Sequence, residues 1–268
     1  MPMTAPISLS RLREMKQQGE KIACLTAYDA SFARVLDEAG VEVILVGDSL
    51  GMVIQGHTTT VPVTMDDMIY HSRAAGQGNR RALLMVDMPF MACPTVEWAL
   101  VNATRLMQAG GAQAVKLEGS GVQLEIVTEL ARRSIPVCAH LGLQPQSVHK
   151  IGGYRVQGRE SAAAKGMLDN AMQLEKAGAD ALLLECVPES LATEITESVT
   201  IPVIGIGAGP RCDGQVLVLH DILGVTPGKA PRFSKNFMNE GGSIQAAVAR
   251  YVAEVKAGTF PAQQHVFE

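Results

Sequence analysis

Asp48, Asp87 and Glu118 each close a short apolar run, VILVGDS, LLMVDMP and AVKLEG, so three carboxylates follow three successive strand-like segments. Gathered in one volume, three negative charges repel one another unless a cation joins them. Oxygen donors without a His or Cys cluster suit Mg²⁺ or a similar hard ion better than zinc, and such an ion keeps positions open for substrate oxygens. Singly, each carboxylate would as readily cap a helix or pair with a lysine; their shared position is what points to a metal. Lys116 stands two residues before Glu118, so both occupy one face of a strand. An ammonium there could bind a substrate carboxylate or form a Schiff base, with a structural ion pair to Asp87 or Glu118 as the plainer alternative. A cation that polarises the carbonyl makes a Schiff base unnecessary, which favours carboxylate binding.

Glu185 ends the run LLLE between Leu184 and Cys186. Apolar neighbours desolvate a carboxyl group, raise its pKa and make the carboxylate a stronger base toward a C–H proton. Glu185 is therefore the general-base candidate, the alternative being an ion pair with Arg155 or Arg159. His140, at the end of PVCAHLG, could donate a hydrogen bond to a developing oxyanion or serve only the core. The GIGAG run at 205–209 allows close backbone approach, to a phosphate, or merely to a bulky substrate or for tight packing. There is no GxGxxG or GxxxxGK[ST] string to support a nucleotide site.

These residues need elements to hold them. Buried parallel strands read as continuous Val/Ile/Leu runs whose last residues escape the core. Such runs recur at 22–28, 41–47, 82–88, 114–118, 137–141, 181–187, 203–207 and 215–220, the last closing on His220 and Asp221. Helical periodicity fills 29–40, 64–78, 95–111, 124–134, 162–180 and 188–200, with Thr64 and Asp67 spaced as a capping box. Eight strands alternating with helices predict a (β/α)8 TIM barrel, in which distant strand ends share one mouth. Ser8 is placed to cap an additional helix over 9–18 that plugs the barrel bottom. A C-terminal helix over 243–257 carries one apolar stripe, suited to packing on its own barrel. No linker or repeat interrupts residues 1–268, which read as one domain.

Two connections exceed plain loops. Residues 143–160 contain Gly152, Gly153 and Gly158, possible pivots of a lid, but equally an excursion or a subunit contact. The Thr-rich stretch 49–64 could reach over the same mouth.

With 268 residues, 47% of them hydrophobic, the chain can fill a large core. A formal net charge of −4 without a long basic cluster argues against nucleic acid or an anionic membrane and for a small-molecule substrate. No apolar run approaches the roughly 18 residues of a membrane span, and the opening residues lack a signal-peptide core, so a cytoplasmic protein is expected. The 5 cysteines are odd in number, lack CxxC spacing and lie mostly in apolar runs, which predicts reduced thiols.

The strings TAYD at 26–29, VGDSLGMVIQGH at 46–57, DMPFM at 87–91, VKLEG at 115–119, CAHLGLQPQSV at 138–148, GGYRVQGR at 152–159, LLLECVP at 182–188, VIGIGAG at 203–209 and DGQVLVLHD at 213–221 resemble the ketopantoate hydroxymethyltransferases nearly end to end. The Gly110-Gly111 doublet and Ser120 are small departures in loops. The resemblance implies a barrel that moves a one-carbon unit from 5,10-methylenetetrahydrofolate to 3-methyl-2-oxobutanoate through a Mg²⁺-stabilised enolate, giving 2-dehydropantoate for pantothenate and coenzyme A. It implies a homodecamer, a pentamer of dimers. It also implies that Asp48 and Asp87 are metal ligands with Glu118 beside them, that Ser49 and Lys116 hold the oxo acid together with Asp48 and Asp87, that His140 lines the site and that Glu185 is the base. A Mg²⁺ barrel lyase or mutase acting on oxo acids shares these features without folate, and a non-catalytic binding barrel would bind the acid without exchanging its proton.

Overall fold

The computed structural model describes residues 5–226 and 228–268. Its strands are Ile22–Thr26 (β1), Val43–Val46 (β2), Leu83–Asp87 (β3), Ala114–Glu118 (β4), Val137–Gly142 (β5), Ala181–Glu185 (β6), Val203–Ile206 (β7) and Gly214–Leu217 (β8). Each pairs in parallel with the next and β8 closes on β1, so the (β/α)8 barrel forms as the apolar runs predict. Nearly every strand residue is buried, because helices cover the outside while side chains fill the interior.

Helices Ala30–Glu38, Met65–Gly78, Val96–Gln108 and Glu189–Ser198 fall within their periodic stretches, and Gln123–Ala131 and Ser161–Ala177 each begin one residue before theirs. Their starts are fixed locally. Asp29, Thr64 and Thr95 each accept backbone N–H bonds at their helix N-termini, and Thr64 with Asp67 completes the capping box.

Helix Leu9–Gln18, capped by Ser8, buries Leu12 and Met15. Its Lys16 ammonium donates to the carbonyls of Thr196 and Ile201 at 2.8 and 2.9 Å and pairs with Asp213 at 2.9 Å, while Arg13 pairs with Asp180 at 2.6 Å. Asp213 and Asp180 immediately precede β8 and β6, and Ile201 lies two residues before β7, so this helix closes the barrel at the end opposite the strand C-termini. Helix Ile244–Lys256 docks on the barrel, its Tyr251 hydroxyl donating to the carbonyls of Cys24 in β1 and Gln215 in β8 at 2.8 and 2.9 Å.

β8 is shorter than its apolar run. It stops at Leu217, and His220 and Asp221 lie in a short helix, Leu219–Ile222. Leu219 and Ile222, one turn apart, are both buried, so helical spacing serves the core better there than continued extension. Between β7 and β8 residues 207–213 return without a helix. Gly207 and Gly209 turn that corner at φ of +61° and +81°, and Lys21 secures it by donating to the carbonyls of Pro210 and Cys212.

Candidate active site

The C-terminal ends of β2 to β6 place every candidate residue around one cavity of about 560 Å³: Asp48, Ser49, Asp87, Lys116, Glu118, His140 and Glu185 all line it. Strand register produces this convergence. Asp87 pairs across with Lys116, Glu118 with His140, and Gly142 with Glu185.

Lys116, 4% exposed, sits 2.8 Å from Asp87 Oδ1. Burial opposes its charge, yet the surrounding Asp87, Glu118 and Asp48 outweigh burial and hold its pKa above the usual lysine range. An amine kept protonated is a poor nucleophile, so the arrangement suits binding an anion and not a Schiff base. Four carboxylates nevertheless face one ammonium. Burial, then Asp87 and Glu118, pushes the Asp48 pKa up; burial, and next to it Asp87, does the same to Glu118 against the opposing pull of Lys116. Glu185 is pushed up to about 8 by burial, with Glu118 adding to it.

His140 lies between two of these acids, with Nδ1 3.6 Å from Glu118 and Nε2 3.5 Å from Glu185. Neither nitrogen has a hydrogen-bond partner among the described residues. Burial, reinforced by Lys116, takes its pKa well below the ordinary histidine value, so the imidazole is neutral.

The residues fit a hard cation of low protein coordination. Among the described residues no group of three His, Cys, Asp or Glu side chains closes into a preformed ligand set. Mg²⁺ does not require one, since it is commonly held by one or two carboxylates plus substrate oxygens and water. Asp48 and Asp87 are close enough for the Asp48 backbone N–H to donate to Asp87 Oδ2 at 3.1 Å, and Glu118 Oε1 is buried without a hydrogen-bond partner. Such an anionic, partly unsatisfied set favours an added positive charge.

Two contributors lie within the strings CAHLGLQPQSV and TAYD, where neither position nor spacing singles them out. Gln146 donates its side-chain amide to Asp48 Oδ2 at 2.8 Å and to the Met88 carbonyl at 3.0 Å, and its backbone N–H to Glu118 Oε2 at 3.1 Å. The buried Tyr28 hydroxyl shares a 2.8 Å hydrogen bond with Ser49 Oγ, fixing that hydroxyl at the cavity wall. The Arg155 and Arg159 pairings considered for Glu185 are absent among the described residues, where Arg159 instead donates to the Glu268 backbone oxygen.

The 143–160 segment is docked as a wall of the cavity. Leu143 N–H donates to the Glu185 carbonyl at 2.8 Å and Gln157 N–H to the Cys186 carbonyl at 2.9 Å, while the Tyr154 hydroxyl reaches Met52 Sδ of the 49–64 segment at 3.5 Å. Gly142 makes the close approach possible: its φ is +92°, and a Cβ there would lie 2.2 Å from the Glu185 carbonyl oxygen. Gly142→Ala is therefore expected to destabilise the protein by ~1–3 kcal/mol. By displacing Glu185 it should slow chemistry by roughly 10²-fold, checked by thermal unfolding and turnover together. The glycines at 205–209 have a packing role as well, since a Cβ on Gly207 would meet Phe233 and Phe267 at 3.0 and 3.1 Å.

Residues 6–263 match the family model described as ketopantoate hydroxymethyltransferase. A protein of Alkalilimnicola ehrlichii named 3-methyl-2-oxobutanoate hydroxymethyltransferase is 63% identical over 98% of this chain and 95% of its own length. A second of that name, from Halorhodospira halophila, is 58% identical over 98% and 95%. Among solved structures, a phosphonopyruvate hydrolase complex with oxalate and Mg²⁺ shares the fold with a TM-score of 0.62 over 94% of this chain and 96% of that one, at 14% identity.

Proposed function

The chain belongs to the ketopantoate hydroxymethyltransferase family, and from that premise we propose that it transfers a hydroxymethyl unit from 5,10-methylenetetrahydrofolate to 3-methyl-2-oxobutanoate, forming 2-dehydropantoate on the route to pantothenate and coenzyme A. The observation that carries the proposal is Glu185, a desolvated carboxyl group in the same cavity as the charged Lys116 and the neutral His140.

Lys116 and Ser49 bind the carboxylate of the oxo acid, Ser49 being held by Tyr28. Glu185 takes the proton from C3, leaving the electron pair delocalised as an enolate. His140, uncharged, offers its single N–H to the anionic groups beside it without adding a competing charge. The nucleophilic C3 then forms a carbon–carbon bond to the methylene carbon of the donor as one of that carbon's two C–N bonds breaks with its electron pair going to the folate nitrogen. Water replaces the second C–N bond, supplying the hydroxyl oxygen of the product, and the protons gained by the two nitrogens leave the donor as tetrahydrofolate. Asp48 and Asp87 would hold Mg²⁺ with Glu118 beside them, and the ion would supply Lewis-acid stabilisation to negative charge developing on the oxo acid.

Incubating the protein with both substrates and Mg²⁺ tests the proposal. Mass spectrometry should show the oxo acid gaining a hydroxymethyl group, whereas product released from the oxo acid alone would favour a lyase. Asp87→Asn weakens the cation site more than it affects proton transfer. The variant should need ~10- to 100-fold more Mg²⁺ for half-maximal rate, by comparison with losses at metal-site partners, and recover most activity at saturation.

For quaternary structure we propose a homodecamer, a pentamer of dimers, in the cytoplasm, as the family resemblance implies. Exposed Tyr70, Phe90, Met91, Trp98 and Val101 supply apolar area for subunit contact, and the five cysteines are free thiols. Among the described residues no helix is long and apolar enough to cross a membrane.

A further inference from the structure

Gln146 lies in the single turn Pro145–Ser147 just after β5. Its three donated bonds reach three strand ends: the side-chain amide donates to Asp48 Oδ2 beyond β2 and to the Met88 carbonyl beyond β3, and the backbone N–H to Glu118 Oε2 at the end of β4. Both amide hydrogens are used, so the Gln146 plane is fixed, and with it the Asp48 carboxylate. The donors fall on one oxygen of each acid. Asp48 Oδ1 takes no hydrogen bond among the described residues, and Glu118 Oε1 is buried without a partner.

We propose that Gln146 is a positioning residue for the cation site: it turns Asp48 and Glu118 so that one oxygen of each is held by the turn and the other is presented to the ion. The proposal rests on the cation site inferred above. An amide nitrogen cannot ligate a cation, so Gln146 acts through Asp48 and Glu118 and touches no reacting atom. Its place on the turn after β5 also matters. The same segment donates from Leu143 and Gln157 to the carbonyls of Glu185 and Cys186, so one stretch of backbone sets the distance between the cation's carboxylates and the base.

Gln146→Met keeps the length and packing of the side chain and removes both amide donors. Mg²⁺ binding is measured by calorimetry on the protein without oxo acid, and hydrogen exchange is followed at the Leu143 and Gln157 amides. The expected result is Mg²⁺ affinity reduced by about 10- to 100-fold, with the protection of both amides retained and the rate recovered at saturating Mg²⁺. Unchanged affinity would overturn the proposal. So would lost affinity accompanied by lost protection at Leu143 and Gln157, because Gln146 would then be a general anchor of the segment. Absence of Mg²⁺ binding by the parent protein would overturn the cation site itself, an outcome distinct from both.

Discussion

Glu185→Gln should slow loss of the C3 proton of 3-methyl-2-oxobutanoate by ~10²- to 10⁴-fold while leaving the affinity for the oxo acid nearly intact. The amide keeps the shape of the side chain and its place against His140, and it removes only the basic oxygen. Binding is assigned to other groups, Lys116 and Ser49, so it survives. Lost binding with exchange preserved would refute the base assignment. The wild-type rate should carry a pH signature of the same group. Burial raises the Glu185 pKa to about 8, so the carboxylate form needed to accept a proton grows as pH rises toward that value and is lost as pH falls below it. Exchange should therefore increase through neutral pH into the range near 8 in the parent, and Glu185→Gln should lack that rise.

Lys116→Met should have the second largest effect, and its direction separates substrate binding from a purely structural ion pair. Removing the ammonium deletes the group assigned to the substrate carboxylate, which corresponds to ~2–5 kcal/mol of affinity for a buried charge pair. It also leaves Asp87 buried without its cation, which is expected to lower stability by ~3–5 kcal/mol. Affinity for Mg²⁺ should move the other way, because a positive charge 2.8 Å from Asp87, one of the carboxylates proposed to hold the ion, is gone. Calorimetry with oxo acid and with Mg²⁺ separately, plus thermal unfolding with and without EDTA, reads all three. Weaker oxo-acid binding with undiminished Mg²⁺ affinity is the expected pattern. A variant that lost stability yet bound the acid normally would reduce Lys116 to a structural partner.

The barrel and the convergence of its candidate site residues on one cavity were legible in the amino-acid sequence for one physical reason. A buried parallel strand tolerates a polar residue only where it leaves the core, so Asp48, Asp87, Glu118, His140 and Glu185 announce themselves by breaking an apolar run at its downstream end. Lys116 was legible because it shares a face with Glu118. Gln146 and Tyr28 were not. Gln146 follows a proline in an aperiodic stretch, and only the docking of that stretch against Glu185 and Cys186 brings its amide to Asp48. Tyr28 acts through Ser49, a neighbour created by the β1–β2 pairing and not by spacing along the chain. The end of β8 was misplaced because a continuous apolar run does not distinguish extended backbone from a buried turn of helix; Leu219 and Ile222 satisfy the core either way. The GIGAG run had several open explanations, of which tight packing is met at Gly207, where the aromatic rings of Phe233 and Phe267 leave little room for a Cβ.

The central claim is that this cavity makes C3 of the oxo acid nucleophilic. It is tested most directly by NMR of 3-methyl-2-oxobutanoate in D₂O with the protein and Mg²⁺, following the C3 proton signal with no folate present. The predicted result is progressive loss of that signal, stopped by EDTA. A C3 signal that persists both alone and after 5,10-methylenetetrahydrofolate is added to the same tube would contradict the account.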